Sequence, residues 1–479
     1  MQTRRLSAIL FIIDKIEERI NVKVIKFGGS SLASSSQLQK VLAIVEADDQ
    51  RKYVIVSAPG KRFDGDTKVT DLLIQYARQT IHHQDTTAIS TAICDRYAEI
   101  GHGFNVPAAQ LEPIFATIRD LPKQEYADNS YLMAAFKAHG ERLNAQLVAA
   151  VFQQSGLNAR YLDPHDAGMV VTDVPDDAQI IDSSYDRLAK WADSDQILVI
   201  PGFFAYNRNG QICTFSRGGS DITGAIVARG VHAERYENFT DVDAIYAVNP
   251  SLVPQPAAIT EMTFREMREL SYAGFSVFHD EALIPAIQGN ITVNVKNTNH
   301  PEAPGTLIKS TRQPNPDYPV TGIASSSSFC SLYLRKYLLN KEVGLGRKIL
   351  TILENHHISY EHMPSGIDDL TIIFDEHQLN PDLEQTLIDE ISAAIHPDEI
   401  HFNHDYSILM LVGENMRNRV GIMSRAATAL ADHNIKLIMV NQGASEISIM
   451  FGIHDRDADQ AVIALYNEFF QTAKLMAEN

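Results

Sequence analysis

Short apolar runs alternate with longer amphipathic stretches over residues 22–300. The runs with strand character are Val22–Phe27, Tyr53–Val56, Gln196–Ile200 and Ile291–Val295. Such alternation predicts an α/β fold in which a mostly parallel sheet is sandwiched by helices. Ligands of these folds bind beyond the carboxyl ends of the strands. The residues predicted at or just after those ends are Lys26, Ser57, Gly202 and Lys296.

The last third of the chain repeats itself at an offset of 77 residues (343 to 420). Val343-Gly344 returns as Val420-Gly421. Each copy reads strand, glycine turn, amphipathic helix and two further strands. That order predicts two small ferredoxin-like βαββαβ units.

The chain therefore divides into several predicted parts. Residues 75–155 are rich in helix formers and predict a helical insertion that carries Glu141. The proline-rich and turn-rich segments near 299–305 and 314–316 predict a linker. The expected parts are an N-terminal extension at 1–21, an α/β domain at 22–310, the linker with the first repeat unit at 311–402, and the second unit at 403–479, completed by a strand near 320–325.

Charge and cysteine usage limit the function classes. The 479 residues carry a net charge of −19, which argues against nucleic acid or anionic membrane as partners. Three cysteines without a CxxC pattern fit a reduced cytoplasmic protein. Residues 1–21 have basic and apolar segments but lack a small-residue cleavage site, so we expect an extension and no signal peptide. No apolar run has the length of a membrane span.

Two glycine turns carry the candidate chemistry. Lys26-Phe27-Gly28-Gly29-Ser30-Ser31 ends a strand with a lysine and two glycines, which could turn with positive φ and direct backbone N–H groups at phosphate oxygens. Ser216-Arg217-Gly218-Gly219-Ser220-Asp221 places a cation and an acid at the start of a buried helix. The alternative for the second turn is a helix capped by Asp221 with a solvated arginine. Two such turns in one α/β region favour a phosphate and carboxylate site.

These motifs, taken in order with several others, resemble the aspartate kinases of the amino-acid kinase superfamily with C-terminal ACT domains. The other matching segments are Val56–Gly60, Thr70–Leu73, Gly140-Glu141-Arg142, Thr240–Asp243 and Val295–Thr298. The resemblance covers nearly the whole chain from residue 22. It implies transfer of the γ-phosphoryl group of ATP, with Mg²⁺, to the side-chain carboxylate of L-aspartate. This reaction opens lysine, threonine and methionine biosynthesis.

The resemblance also assigns candidate roles. Lys26, Asp221 and Lys296 are the expected catalytic residues, with Asp221 holding the lysines or touching the Mg²⁺ shell. The expected substrate contacts come from Ser57, Thr70, Glu141, Arg217 and Ser220. The expected ATP contacts come from Lys26, Gly28, Gly29, Ser30, Ser31, Thr240, Asp241, Tyr246, Lys296 and Asn297.

Some of these residues have plainer interpretations. Glu141 could be a solvated helix acid, and Thr70 could be a helix N-cap. The family often has glycine where Ala244 stands and arginine where Ser251 stands, which leaves ATP affinity open. The alternatives to an aspartate kinase are another amino-acid or carboxylate kinase of the same superfamily, and an amino-acid sensor that retains the fold without catalysis.

Regulation and assembly are expected from the paired ACT units. In the family such units bind an inhibitory amino acid and form a homodimer, and lysine is expected here before threonine. The corresponding effector positions are Lys341, Val343, Gly344, Ser365 and Asp368. Two histidine groups, at 356–362 and 396–404, lack matched zinc spacing, so no metal ligand is assigned.

Overall fold

The computed structural model describes residues 22–275, 280–313, 318–417 and 419–471. They form two compact units. The first comprises the described residues of Met1–Ile245, Thr260–Phe264 and Val277–Arg312, and the second those of Tyr246–Ile259, Arg265–Ser276 and Gln313–Asn479. This division differs from a predicted domain at 22–310, because two segments of that range pack with the C-terminal part of the chain. The extension at 1–21 and the prolines at 314–316 lie outside the described residues.

The first unit contains an eight-stranded sheet. Its strands are β1 (Lys23–Phe27), β2 (Arg51–Val56), β3 (Ala159–Tyr161), β4 (Ile197–Pro201), β7 (Arg235–Thr240), β10 (Glu261–Thr263), β11 (Thr292–Asn297) and β12 (Thr306–Lys309), and a separate hairpin pairs β5 (Phe204–Tyr206) with β6 (Ile212–Thr214). The strand order is β10-β12-β11-β7-β1-β2-β4-β3. All neighbours are parallel except β11 and β12. The predicted, mostly parallel α/β sheet is confirmed.

Helices cover both faces of this sheet. They are α1 (Ser35–Glu46), α2 (Val69–Ile81), α3 (Thr87–His102), α4 (Ala108–Asp120), α5 (Asn129–Gln154), α6 (Pro164–Ala167), α7 (Ser183–Leu188), α8 (Gly219–Gly230) and α10 (Ile284–Gly289). One large apolar cluster joins α1–α5 to the side chains of Ile25, Phe27 and Phe239 on one sheet face. Because strand side chains alternate, Lys26 leaves β1 on the other face, toward α8. In the described residues no helix is long and apolar enough to cross a membrane.

The second unit is built on a five-stranded antiparallel sheet. Its strands, in the order β14-β13-β15-β17-β16, are β13 (Gly322–Arg335), β14 (Asp369–Asp375), β15 (Glu399–Val412), β16 (Met439–Asn441) and β17 (Ser448–Ile453), and a small second sheet pairs β8 (Ile245–Tyr246) with β9 (Ala258–Ile259). The helices that complete the unit are α11 (Leu345–Asn355), α12 (Pro381–Ile395), α13 (Ile422–Asp432) and α14 (Ala458–Tyr466). Helix α9 (Phe264–Tyr272) begins in the first unit and continues into the second.

The internal repeat appears as two ferredoxin-like halves of one sheet. Helices α11 and α13 occupy equivalent places, and each follows a glycine in the left-handed region, Gly344 and Gly421. The two 14-residue strands β13 and β15 run through both halves. The predicted boundary at residues 402 and 403 therefore falls inside β15. In the second half, Gly322–Ser326 pairs with Ile408–Val412, so this part of β13 supplies a strand from outside the repeat copy.

Two segments from before the linker, the described residues of Tyr246–Ile259 and Arg265–Ser276, are hydrogen-bonded to other parts of the second unit. The N–H group of Ile323 donates to the carbonyl oxygen of Ala247 at 2.7 Å. The buried carboxylate of Glu266 accepts hydrogen bonds from the Thr321 hydroxyl at 2.6 Å and the Glu414 N–H group at 2.8 Å. Buried polar groups of this kind are satisfied only by specific partners, so the contacts fix where these segments lie.

Candidate active site

The first glycine turn forms a tight loop after β1. Gly29–Leu32 is a 3₁₀ turn, and the N–H group of Gly28 donates to the carbonyl oxygen of Phe239 at 3.3 Å. Gly28 has φ −71°, and Gly29 is not among the positive-φ glycines. The expectation that these glycines supply positive φ is therefore wrong.

Close backbone packing explains the glycine at position 29. A Cβ atom there would lie 2.9 Å from the carbonyl oxygen of Ala58, and one on Gly60 would lie 2.6 Å from the carbonyl carbon of Gly29. The loops after β1 and β2 thus pack backbone against backbone. The N–H groups after β1 are held by this contact at the carboxyl ends of adjacent strands.

Lys26 is bound by an acid of the second glycine turn. Its Nζ atom lies 2.6 Å from Oδ1 of Asp221, and the same carboxylate oxygen accepts from the side-chain amide of Asn238 at 2.7 Å. Asp221 lies in the first turn of α8, whose N-cap is Gly218 at φ 81°. The alternative in which Asp221 caps the helix is wrong. The carboxylate instead orients the lysine.

Lys296 lies on the other face of the sheet. It is opposite Phe239 in the strand register, whereas Lys26 is opposite Asn238. Its Nζ atom donates to the carbonyl oxygen of Ala303 at 2.9 Å. Burial lowers the pKa of Lys296, and the nearby Glu237 carboxylate opposes that shift. Asp221 therefore holds one of the two lysines, not both.

Glu141 is a buried acid. Its side chain projects from α5, the residue is 6% exposed, and Oε2 has no hydrogen-bond partner among the described residues. Burial raises the pKa of Glu141 to about 8, against the opposing effects of the Ala58 backbone N–H group and the Lys26 charge. The interpretation of Glu141 as a solvated helix acid is wrong. A buried carboxyl with an unsatisfied oxygen is costly unless a ligand completes it.

Thr70 and Ser57 lie beside the same stretch of α5. A Cβ atom built on Gly140 would approach the Thr70 hydroxyl to 3.9 Å and the Ala58 Cβ to 2.8 Å, so the helix packs closely here. Thr70 is inside α2, whose N-cap is Lys68, and the capping interpretation is wrong. The carbonyl oxygen of Ser57 accepts from the Asn144 amide at 2.6 Å.

The loop before α8 carries the exposed side chain of Arg217. Its guanidinium has no ion pair or hydrogen bond within the described residues. Ser220 is buried against Gly202. A Cβ atom added to Gly202 would lie 2.6 Å from the Ser220 hydroxyl oxygen. Phe203 adopts φ 75°, a strained conformation for a bulky residue, and its N–H group bonds the Thr223 hydroxyl at 3.0 Å.

Apart from Tyr246, the predicted nucleotide residues lie at or just beyond the ends of β1, β7 and β11. Ser30 is exposed, whereas the Ser31 hydroxyl bonds that of Thr298 at 2.7 Å. The Thr240 hydroxyl bonds Asp241 at 3.1 Å. The buried amide of Asn297 donates to Asp243 at 2.6 Å. Tyr246 is half-buried in β8 and belongs to the second compact unit.

The sequence motifs missed several residues that hold this site. The side-chain amide of Asn144 donates to the Ser57 carbonyl oxygen, and that of Asn238 donates to the Asp221 carboxylate. The guanidinium of Arg96 donates to the carbonyl oxygen of Gly60 at 2.6 Å. Asn238 stands beside Glu237 in the buried middle of β7, and polar residues in a buried strand could have identified it. Arg96 lies on a helix far in sequence from any motif, whereas Asn144 lies two residues after the Gly140-Glu141-Arg142 motif.

The predicted effector positions meet in the second unit. The N–H group of Asn340 donates to the carbonyl oxygen of Ile367 at 3.1 Å, and that of Leu338 donates to Asp368 at 2.8 Å. Lys341, Val343, Gly344 and Ser365 are exposed along these adjoining segments, and Asp368 is half-buried. Gly344 caps α11 in the left-handed conformation without a side-chain hydrogen bond, and the first N–H groups of a helix have no partner within the helix.

The histidine groups of the second unit do not combine into a metal site. Across the described ranges, no group of three or more His, Cys, Asp or Glu side chains is arranged to hold a metal ion. His356 and His404 instead bond glutamates of α12, Glu390 at 3.1 Å and Glu384 at 3.2 Å.

Comparison with known proteins agrees with the fold and the motifs. The sequence profile of the amino acid kinase family matches residues 21–297, and that of the ACT domain matches residues 409–469. The chain therefore belongs to the amino acid kinase family. Aspartokinase 3 of Bacillus subtilis (strain 168) is 49% identical over 449 residues, which are 94% of this chain and 99% of that protein. Within the family, the chain belongs to the aspartokinases.

Solved structures give the same result. Clostridium acetobutylicum aspartate kinase is 38% identical with a TM-score of 0.81, over 94% of this chain and 100% of that one. E. coli aspartokinase III in complex with aspartate and ADP has a TM-score of 0.75 with the same coverage, and at 24% identity it shows the fold alone. The reaction of this chain is ATP-dependent phosphorylation of the side-chain carboxylate of L-aspartate, a step of amino-acid biosynthesis.

Proposed function

We propose that the carboxyl edge of the first unit's sheet is the site of this reaction. Lys26 and the N–H groups of Gly29 and Ser30 would bind the phosphates of ATP, because those of Gly28 and Ser31 already donate to backbone carbonyl oxygens. Arg217 and Glu141 would bind the α-carboxylate and ammonium groups of aspartate. The observation that carries the proposal is the Lys26–Asp221 ion pair at 2.6 Å, since it fixes a cation at the end of the central strand. The burial of Glu141, and the absence of an ion pair to Arg217 from the described residues, support the substrate assignment.

The chemistry requires positioning more than proton transfer. The attacking carboxylate is ionised at neutral pH, so no general base is needed. Two anions must meet while charge shifts on the transferred phosphoryl group, and preorganised cations reduce that barrier. Lys26, oriented by Asp221, supplies positive charge at the phosphate side. Arg217 offers a planar fork for the α-carboxylate, while Ser57, Thr70 and Ser220 hydrogen-bond the amino acid.

The remaining nucleotide assignments rest on neighbouring residues. Thr240, Asp241 and Asn297 would contact the adenosine side. Lys296 would act from the opposite sheet face, without help from Asp221. Mg²⁺ would arrive with ATP and keep several waters.

Regulation is the second part of the proposal. Lysine would bind the exposed segments around Gly344 and Ser365, where free N–H groups at the start of α11 suit a carboxylate. A crystal structure of E. coli aspartokinase III contains lysine and aspartate in a T-state. Threonine is the alternative effector. A homodimer through the ACT units would carry the regulation.

Trapping of aspartyl phosphate with hydroxylamine tests the proposal. We expect ATP-dependent product from the wild type, about 100-fold less from Lys26→Ala, and inhibition by lysine that is absent in Ser365→Ala. Lys190→Ala, which changes an exposed lysine in the 3₁₀ turn after α7, serves as the matched control. Full turnover of Lys26→Ala would refute the site, and insensitivity to lysine would refute the effector assignment alone.

A further inference from the structure

We propose that Glu141 is uncharged in the empty site and loses its proton when the ammonium group of an α-amino acid enters, so that substrate binding releases one proton. The inference rests on the proposed contact between Glu141 and the substrate ammonium. It adds a requirement for substrate selection, because a dicarboxylate without an amino group cannot stabilise the ionised form.

The geometry around Glu141 gives the first reason. The side chain of Glu141 on α5 is buried, and its Oε2 atom has no hydrogen-bond partner in the described part of the chain. A backbone N–H group, that of Ala58, is the main donor that favours its ionised form. An ionised carboxylate with an oxygen left unsatisfied in a buried position is strongly disfavoured.

The charges that face Glu141 give the second reason. Lys26 is the cation that acts on it, but the Lys26 Nζ atom is 2.6 Å from Asp221, so its charge is largely balanced. From α3, Tyr97 donates its hydroxyl to the carbonyl oxygen of Gly140 at 2.9 Å. Burial, and then the Glu141 carboxyl, raise the pKa of Tyr97 well above its ordinary value, so the phenol stays neutral. Burial accordingly outweighs Lys26 and raises the pKa of Glu141 to about 8.

The proton balance follows from these states. Before binding, Glu141 carries a proton and the substrate carries an ammonium group. After binding, the carboxylate faces the ammonium, which keeps its three protons, and the carboxyl proton passes to solvent. Succinate, which has both carboxylates of aspartate but no amino group, leaves Glu141 protonated.

Isothermal titration calorimetry measures the number of protons released when aspartate binds. Aspartate is titrated into the full-length enzyme with MgADP present, in phosphate, HEPES and Tris buffers, whose ionisation enthalpies differ. We expect most of one proton to be released per aspartate at pH 7 and much less at pH 9, because burial raises the pKa of Glu141 to about 8. Succinate should release none. Glu112→Gln, an exposed acid of α4, should release the same amount as the wild type.

The Glu141→Gln variant tests proton release separately from the contact between residue 141 and the substrate ammonium group. We expect it to bind aspartate about tenfold more weakly or worse, with no proton released. If the wild type binds aspartate without releasing a proton, or succinate releases as much as aspartate, the proton proposal is overturned and the contact survives. If Glu141→Gln binds aspartate as the wild type does, the contact itself is overturned. Retained MgADP binding shows that the variant is folded.

Discussion

Gly60 donates its backbone N–H group to the carbonyl oxygen of Gly29 at 2.8 Å, so the loops that follow β1 and β2 are joined backbone to backbone. Neither glycine is needed for a positive φ. Each is needed because a side chain would occupy the space of the opposite loop. The phosphate-side loop is thus positioned by a second loop, which an isolated motif does not reveal.

Gly60→Ala should disrupt this contact. The new Cβ atom would lie 2.6 Å from the carbonyl carbon of Gly29, against backbone that cannot rotate away. We expect the KM for ATP to rise about tenfold and the free energy of unfolding to fall by about 1–3 kcal/mol. Gly443→Ala, whose Cβ would meet only the Ser445 hydroxyl at 3.9 Å, is the control. An unchanged KM for ATP in Gly60→Ala would contradict the role of this packing.

Asp221→Asn should reduce catalysis while preserving the fold. The amide is close in shape to the carboxylate, but it removes the charge that holds Lys26 and Asn238. We expect kcat to fall about 10- to 100-fold in steady-state assays. Asp186→Asn, an exposed acid in the first turn of α7, should leave kcat unchanged. A kcat within twofold of the wild type for Asp221→Asn would show that Lys26 needs no orientation.

Arg217→Ala should weaken aspartate binding selectively. A charge-assisted bidentate contact contributes about 1.5–3 kcal/mol, so the KM for aspartate should rise about 10- to 100-fold while the KM for ATP stays constant. Arg217→Lys should recover only part of the loss, because an ammonium group lacks the planar fork. Arg208→Ala, on an exposed turn, is the control. Equal changes in both KM values would indicate that the loop, rather than the contact, was altered.

Glu141 should make the stability of the ligand-free enzyme depend on pH. Its pKa rises from 4.5 to about 8 on folding, so between these values the folded chain holds a proton that the unfolded chain has lost. Stability therefore falls as pH rises through this window, by about 1.4 kcal/mol per pH unit, and levels off above pH 8. Thermal unfolding should show Glu141→Gln more stable than the wild type at pH 8, with little difference near pH 4.5. The same difference at both pH values would contradict this account.

The sequence determined the class of fold and the family. Apolar runs and helix-forming stretches alternate at the spacing of a parallel α/β sheet, and strand ends such as Lys26 mark one edge of it because parallel strands share a direction. The repeat from Val343 to Val420 likewise determined two ferredoxin-like halves. Local periodicity is enough for these conclusions, since burial of one face fixes the type of each element.

Tertiary structure decided which side chains meet. Asp221 binds Lys26 and not Lys296, because the register places the two lysines on opposite faces of the sheet. Glu141 is a buried acid only because α5 packs on the loop after β2, and β13 serves both ACT halves only through long-range strand pairing. Pairing register and helix packing depend on residues far apart in the chain, so no local pattern encodes them.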